Sequence, residues 1–347
     1  MNKIVWFRYD LRISVNNAFT NAIKDGNVLP IFIFDEGLFK LETSSSFHLK
    51  FIKDSLNDLK NKLRKEYNSN LSIYYGNTYE IFKYLIMKYS VSEVYSNRIF
   101  KHKYLTDLDK KCENLFNDLR VKWILTNQFG IDLNHRKRFN WSYNWNKFIQ
   151  ADEKVYKFNC KFININNNFD YNEVKTNKIK GKLIQPGGRD EAIKLLDSFV
   201  ETRSENYQRE MSSPISGETA CSRLSPHITY GTISLKEIHR KITDKLKKVC
   251  TINKRKSLIA FKSRLAWHCH FIQKLYDEPE IEHKNLNSAF DILRKDFNEK
   301  HYKAWKTGMT GYPFIDACMR YLEINGWINF RMRAMLVSFA SYQLWLD

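Results

Sequence analysis

Five short apolar runs recur within the first 125 residues, and their spacing limits the fold more than any other feature of the chain. Ile4 to Phe7, Val28 to Phe34, Leu71 to Tyr75, Val91 to Tyr95 and Val121 to Leu125 are rich in β-branched or aromatic side chains. That is the pattern of strands buried on both faces of a parallel sheet. Helical spacing fills the gaps. Between Phe47 and Tyr67, for example, Phe51, Ile52, Leu56, Leu59 and Leu63 form one apolar stripe. Strand–helix alternation of this kind predicts a doubly wound, five-stranded parallel sheet, hence an α/β N-terminal domain over residues 1–134. Such sheets bind ligands at the carboxyl ends of their strands. No GxGxxG follows the first strand and no GxxxxGK[ST] occurs anywhere, so a nicotinamide or P-loop enzyme loses its main support.

The pattern changes after residue 134. From 135 to 185 the periodicity fades into an Asn- and Lys-rich stretch, which reads as a mostly surface linker between domains. It opens on the basic cluster His135, Arg136, Lys137 and Arg138, followed by Trp141 and Trp145, read as a solvated charge run with two aromatic anchors. Order resumes at Pro186, and strand signals almost vanish. Residues 186–347 therefore form an all-α domain, with helices predicted over Ile233–Ile242, Leu258–Leu275, Ile315–Ile324 and Trp327–Leu346. The balance of 57 Lys+Arg against 38 Asp+Glu, net +19, favours a polyanionic partner such as nucleic acid. The six cysteines form no CxxC pair and read as reduced thiols of a cytoplasmic protein. No signal peptide or membrane-spanning run is present, so no membrane contact is expected.

Three segments carry residues with chemistry. In "TACSRLSPHITYGTIS", Ser222, Arg223 and Ser225 put two hydroxyls and a guanidinium just before a helix; this is either an anion cradle or a capping turn. In "FKSRLAWHCHFIQKL", His268 and His270 flank Cys269, but residues two apart on a helix cannot share a metal, so no metal is expected. Arg264, Trp267, His268 and Phe271 fall instead on roughly one face, which suits a flat ligand or unstacked bases, with a core stripe as the rival explanation for the two aromatics. In "TGYPFIDACMRYLEINGWINFRMR", Arg331 and Arg333 project about 200° apart, to opposite sides of one helix.

Together with "IVWFRYDLRISVNNAF" and "GGRDEAIKLLDSF", these segments resemble, in order and over nearly the whole chain, the DNA photolyase/cryptochrome family. The resemblance implies an α/β antenna domain followed by a helical FAD-binding domain. Cys221, Ser222, Arg223, Leu224 and Ser225 match its FAD-phosphate segment, with Cys221 where a Thr is common. Tyr207 is similar to its flavin-contacting tyrosine. Arg264, Trp267, His268 and Phe271 match the helix that lines the lesion pocket, Arg331 a DNA-facing arginine and Arg333 one on the flavin side. Three residues depart from the usual lesion pocket: Arg264 stands in place of a Glu, Phe330 of an Asn and Ala334 of a Met. The histidine pair of (6-4) photolyases is absent after Gly326.

The function so implied is light-dependent DNA repair, with pyrimidine dimers in damaged duplex split by electron transfer from excited reduced FAD. The protein would be a monomer, with a folate- or deazaflavin-type antenna chromophore as a second cofactor. The alternatives are a cryptochrome-like blue-light receptor without repair, and a basic DNA-binding remnant without flavin. The terminal "SFASYQLWLD" is apolar and helical, and in the family this helix continues into segments carrying the ring-side flavin contacts. The expectation is accordingly of a C-terminally truncated member, with its catalytic groups beyond Asp347.

Overall fold

The computed structural model describes residues 1–134, 141–152, 158–165, 174, 179, 181 and 183–347. Five parallel strands form the expected sheet: β1 Asn2–Phe7, β2 Asn27–Asp35, β3 Ser72–Gly76, β4 Val91–Asn97 and β5 Lys122–Thr126, in the order β3-β2-β1-β4-β5. Side chains of β1 alternate between two cores. Val5 and Phe7 pack with Phe34, Leu56 and Leu59 on one face; Ile4 and Trp6 pack with Phe82, Leu108 and Phe116 on the other. Burial on both faces is what made these strands read as continuous apolar runs. The helix Ser46–Tyr67 is capped by the Ser45 side chain, which accepts from His48 N–H, and ends on Asn68 in the left-handed region.

Among the described residues between 134 and 185, two regular elements appear that the composition did not predict. Trp141–Gln150 is a helix whose Trp145 is buried near His239, and Lys161–Phe162 adds a short strand, β6, parallel to β2. Low aliphatic content hid both, because a few aromatics supply the buried contacts instead. The basic cluster at 135–138 lies outside the described residues.

From Arg189 onward every regular element among the described residues is a helix. The long helix Ile252–Asp277 supplies Leu258, Phe261 and Leu265 to a core shared with Phe199, Ile238 and Ile242. A smaller core joins Ile315, Met319, Met332 and Leu336. The predicted helix Trp327–Leu346 is shorter. Residues 327–329 are extended, Asn329 caps the helix Phe330–Ser338, and a π-helical turn, Phe339–Gln343, closes it. The closing bond from Leu346 N–H to the Ala340 carbonyl, with Trp345 at φ +56°, has the pattern that ends helices.

The sheet and the helices meet along a polar seam. Leu11 N–H donates to the Tyr230 carbonyl (3.0 Å), and the Arg12 guanidinium to the Gly231 carbonyl (2.6 Å). Tyr9 stacks on Tyr230 at 5.6 Å. Gly188 N–H reaches Ser55 Oγ (3.0 Å) and Arg189 N–H reaches Asp58 Oδ2 (2.9 Å), fixing the start of the helical part against the helix Ser46–Tyr67.

Candidate functional site

At that seam lies a cavity of about 460 Å³, within the usual range of ligand pockets, roughly 300–1,000 Å³. The sheet contributes Tyr9, from the loop after β1, and Lys101, from the loop after β4. In the order β3-β2-β1-β4-β5 the chain leaves β1 in one direction and β4 in the other, so β1 and β4 flank the topological switch point. Open α/β sheets bind ligands at that crevice. The helical part contributes Ser225, Tyr230, Trp327 and Arg333.

The lining has one sign of charge. Lys101, Arg333, His48 and His102 face the cavity, and among the described residues no Asp or Glu does. The Lys101 ammonium lies 4.3 Å from the Tyr9 ring centre, and burial pushes its pKa down to about 8. Burial also lowers the pKa of His48 and His102, with Lys101 adding to the effect on each. Beneath the cavity His227 is fully buried; it is held at Nδ1 by Thr232 Oγ1 (2.8 Å) and driven down to about 4 by burial, so it is neutral at ordinary pH.

The predicted phosphate segment is held from behind. The Arg203 guanidinium donates to the carbonyls of Leu195 (2.9 Å), Thr219 (3.1 Å), Ser222 (3.2 Å) and Cys221. Arg223 sits at φ +62°, a left-handed backbone that costs a non-glycine residue about 1–2 kcal/mol. Gln185 clamps it, donating to the Arg223 carbonyl (2.6 Å) and accepting from its Nε (3.3 Å). The guanidinium then lies 4.0 Å from the Trp327 ring, at the edge of the cavity. Strained backbone held by surrounding bonds clusters at ligand clamps.

The predicted residues are not all in one place. Ser225 and Arg333 line the cavity, and Arg223 borders it through Gln185 and Trp327. Ser222 Oγ accepts from Leu224 N–H (3.3 Å), and Leu224 is core. Cys221 points its sulfur toward the Met211 carbonyl (3.9 Å). Tyr207 is buried edge-on to Phe199 and Phe261, and burial raises its hydroxyl to about 12. On the helix Ile252–Asp277, Arg264, Trp267 and Phe271 are exposed, whereas His268 turns inward onto Phe129 and burial pushes it down to about 4. The four do not share one surface: His268 lies at the inner margin of the arc and meets the sheet domain. In its place His270 joins Trp267 and Phe271, with ring centres 5.2 and 5.6 Å away. Of the two arginines two residues apart, Arg333 reaches the cavity and Arg331 does not line it.

Sequence reasoning missed Gln185, Arg203 and Lys101. The first two act on backbone carbonyls far along the chain, which leaves no local signal. Lys101 was within reach, because it follows the fourth strand at the predicted switch point.

Comparison with known proteins assigns this architecture. Residues 3–128 match the family model described as DNA photolyase, and residues 261–347 match the FAD binding domain of DNA photolyase. The chain belongs to the DNA photolyase/cryptochrome family. A deoxyribodipyrimidine photo-lyase of Agrobacterium fabrum is 27% identical over 99% of this chain and 74% of its own length. The one from Streptomyces griseus is 34% identical over 46% of this chain, and that match spans only 33% of its length. Cryptochrome-2 of Arabidopsis thaliana is 25% identical over 97% of this chain and 59% of its own. Among solved structures, an archaeal photolyase from Sulfolobus tokodaii with two FAD molecules superposes with a TM-score of 0.79 at 26% identity, over 100% of this chain and 76% of that one. The photolyase FAD-binding match includes Arg264, Trp267, His268, Phe271, Arg331 and Arg333, while Tyr207 and Cys221–Ser225 precede it. Among the described residues no helix is long and apolar enough to cross a membrane, and no cluster of His, Cys, Asp and Glu could hold a metal.

Proposed function

We propose that this photolyase-family chain binds FAD in the interdomain cavity and serves light-dependent repair of pyrimidine dimers in damaged duplex DNA. The observation that carries the reading is the cavity's lining: cationic and aromatic side chains with, among the described residues, no carboxylate, in a chain matching the photolyase FAD-binding domain. That lining suits an anionic, flat dinucleotide in charge and aromatic contact. Ser225 would donate its hydroxyl to a phosphate oxygen, Arg333 would give a charge-assisted bond, and the Gln185–Arg223 clamp would keep the strained loop in register. Tyr207 and Leu224 would support that wall from the core, and Cys221 and Ser222 through the carbonyls that Arg203 holds. Bound and reduced, FAD supplies the light-driven electron that opens the dimer. For DNA we assign the exposed face of Arg264, Trp267 and Phe271 with Phe330 and Arg331. There an unstacked base would find aromatic surface worth about 1–3 kcal/mol. A folate- or deazaflavin-type antenna chromophore would be the second cofactor, in keeping with the photolyase match of the sheet domain and with the Sulfolobus tokodaii photolyase solved with two FAD molecules.

Two results test these assignments. Fluorescence titration of the purified chain with FAD should give a dissociation constant about tenfold weaker for Arg333→Ala, the loss of one charge-assisted bond of roughly 1.4 kcal/mol. Equal affinity would remove Arg333 from the site. Arg331→Ala should weaken binding to both dimer-containing and intact duplex. It should also lower the slope of log K against log salt by about 0.9, one phosphate contact's share. A slope unchanged in anisotropy titrations from low to high salt would refute that role.

A second reading is a blue-light receptor. It draws on the cryptochromes among the relatives and on Arg264, Phe330 and Ala334, which depart from the usual lesion pocket. Illumination of dimer-containing DNA with the flavin-loaded protein separates the two. Loss of dimers supports repair, and flavin photoreduction without loss supports the receptor.

A further inference from the structure

We infer that Trp141, on the helix Trp141–Gln150, is a specificity-determining residue for DNA: it stacks a base next to the dimer and so extends the exposed aromatic face of the helix Ile252–Asp277. This rests on the DNA face proposed above and goes beyond it. Every residue assigned there lies in the helical part, whereas Trp141 comes from the segment between the two domains.

Of the two tryptophans in that segment only Trp145 is a buried anchor. It packs near Phe148 and His239, whereas Trp141, one turn earlier on the same helix, is only partly buried. His270 joins Trp141 to the aromatic face. Its ring centre lies 5.0 Å from that of Trp141 and 5.2 Å from that of Trp267, nearly perpendicular to both, at 80° and 81°. Phe271 continues the row, 5.9 Å from Trp267 and 5.6 Å from His270. Trp267 and Phe271 are 47% and 61% exposed. Single exposed aromatics are ordinary, but a contiguous row of them marks a surface that meets a partner.

Charge decides which partner. Lys256 and Lys274 stand eleven and seven residues from Trp267 on one helix, close to three and two whole turns, so both lie in line with it. Neither lysine has an ion-pair partner among the described residues. Cations before and after a row of rings match a nucleic-acid strand, whose phosphates meet the lysines while its bases meet the rings. A duplex with every base in the stack offers no ring to Trp141. The residue therefore acts on DNA whose bases are already displaced, and it adds discrimination rather than general affinity.

The test uses the full chain, fluorescence anisotropy and three labelled probes: a duplex with one pyrimidine dimer, the same duplex intact, and a single strand of the same sequence. Trp141→Ala should bind the dimer duplex and the single strand about tenfold more weakly than wild type and the intact duplex equally well. The salt dependence of each probe should stay unchanged, because stacking releases no counterions. Trp141→Phe should recover most of the loss. If wild type prefers the dimer duplex and Trp141→Ala binds it with the same affinity, the inference fails and the DNA face stands. If the intact duplex weakens as much, or Trp141→Phe recovers nothing, Trp141 acts through folding or placement of the segment, and the inference fails. If wild type binds no probe, or prefers neither the dimer duplex nor the single strand to the intact duplex, the DNA face falls together with the inference.

Discussion

Gly231→Val should destabilise the protein by roughly 3 kcal/mol or more and abolish ligand binding in the interdomain cavity. Gly231 has φ +65°, and a Cβ there would lie 2.3 Å from the Tyr9 carbonyl oxygen and 2.5 Å from Asp10 Cα. Both obstacles are backbone, so no rotamer change can relieve the clash. The left-handed backbone alone costs a side-chain residue about 1–2 kcal/mol, and overpacking at a tight contact about 1–3 more. The Gly231 carbonyl also accepts from Arg12, and the neighbouring Tyr230 carbonyl from Leu11 N–H. Separating the chains here breaks both bonds and unstacks Tyr9 from Tyr230, two walls of the cavity. Urea denaturation should show the loss as a lower midpoint, and FAD titration as absent saturation. A stable variant with normal affinity would mean that the seam is not what shapes the cavity.

The seam also separates what could be read in the sequence from what could not. The strands were legible because β1 and β2 are buried on both faces, which forces continuous runs of residues such as Ile4–Phe7 and Val28–Phe34, and the shorter β3 to β5 repeat the pattern with partly exposed residues. The helix Ser46–Tyr67 was legible because only one of its faces is buried, leaving the stripe Phe51, Leu56, Leu59 and Leu63. Trp141–Gln150 was not, since Trp145 alone supplies its fully buried surface. The candidate site divides in the same way. Ser225 and Arg333 stood out through local motifs. The contributions of Arg203 and Gln185 rest mainly on carbonyls well removed along the chain, which no local motif encodes, whereas Lys101 could have been found from its place after the fourth strand. Helical geometry set Arg331 and Arg333 on opposite sides of one helix, and of the two Arg333 alone lines the cavity. It could not say that His268, at the margin of its arc, would meet Phe129 of the other domain.

The loop that carries Tyr9 is held by a buried carboxylate that accepts from three donors, and removing it should be the other severe change. Asp10 is 1% exposed. One oxygen accepts from Arg8 N–H (2.7 Å) and the other from Asn97 Nδ2 (2.6 Å) and Asn16 Nδ2 (3.3 Å). Asn97 in turn donates to Asn16 Oδ1 (2.9 Å) and accepts from Thr126 Oγ1 (2.6 Å), so the ends of β1, β4 and β5 are joined through one carboxylate. Asp10→Ala leaves the Arg8 N–H without this acceptor and removes one from each amide. Each buried donor left unsatisfied in this way costs about 1–3 kcal/mol. Asp10→Asn is the sharper variant. It keeps the volume and one acceptor oxygen but turns an NH2 group toward donors, so it should recover only part of the loss. If the network were merely filling space, Asn would restore full stability in urea denaturation. If it positions the loop, Asn should remain less stable than wild type and should also bind FAD more weakly, because Tyr9 and the Lys101 ammonium over its ring would no longer be held against Tyr230.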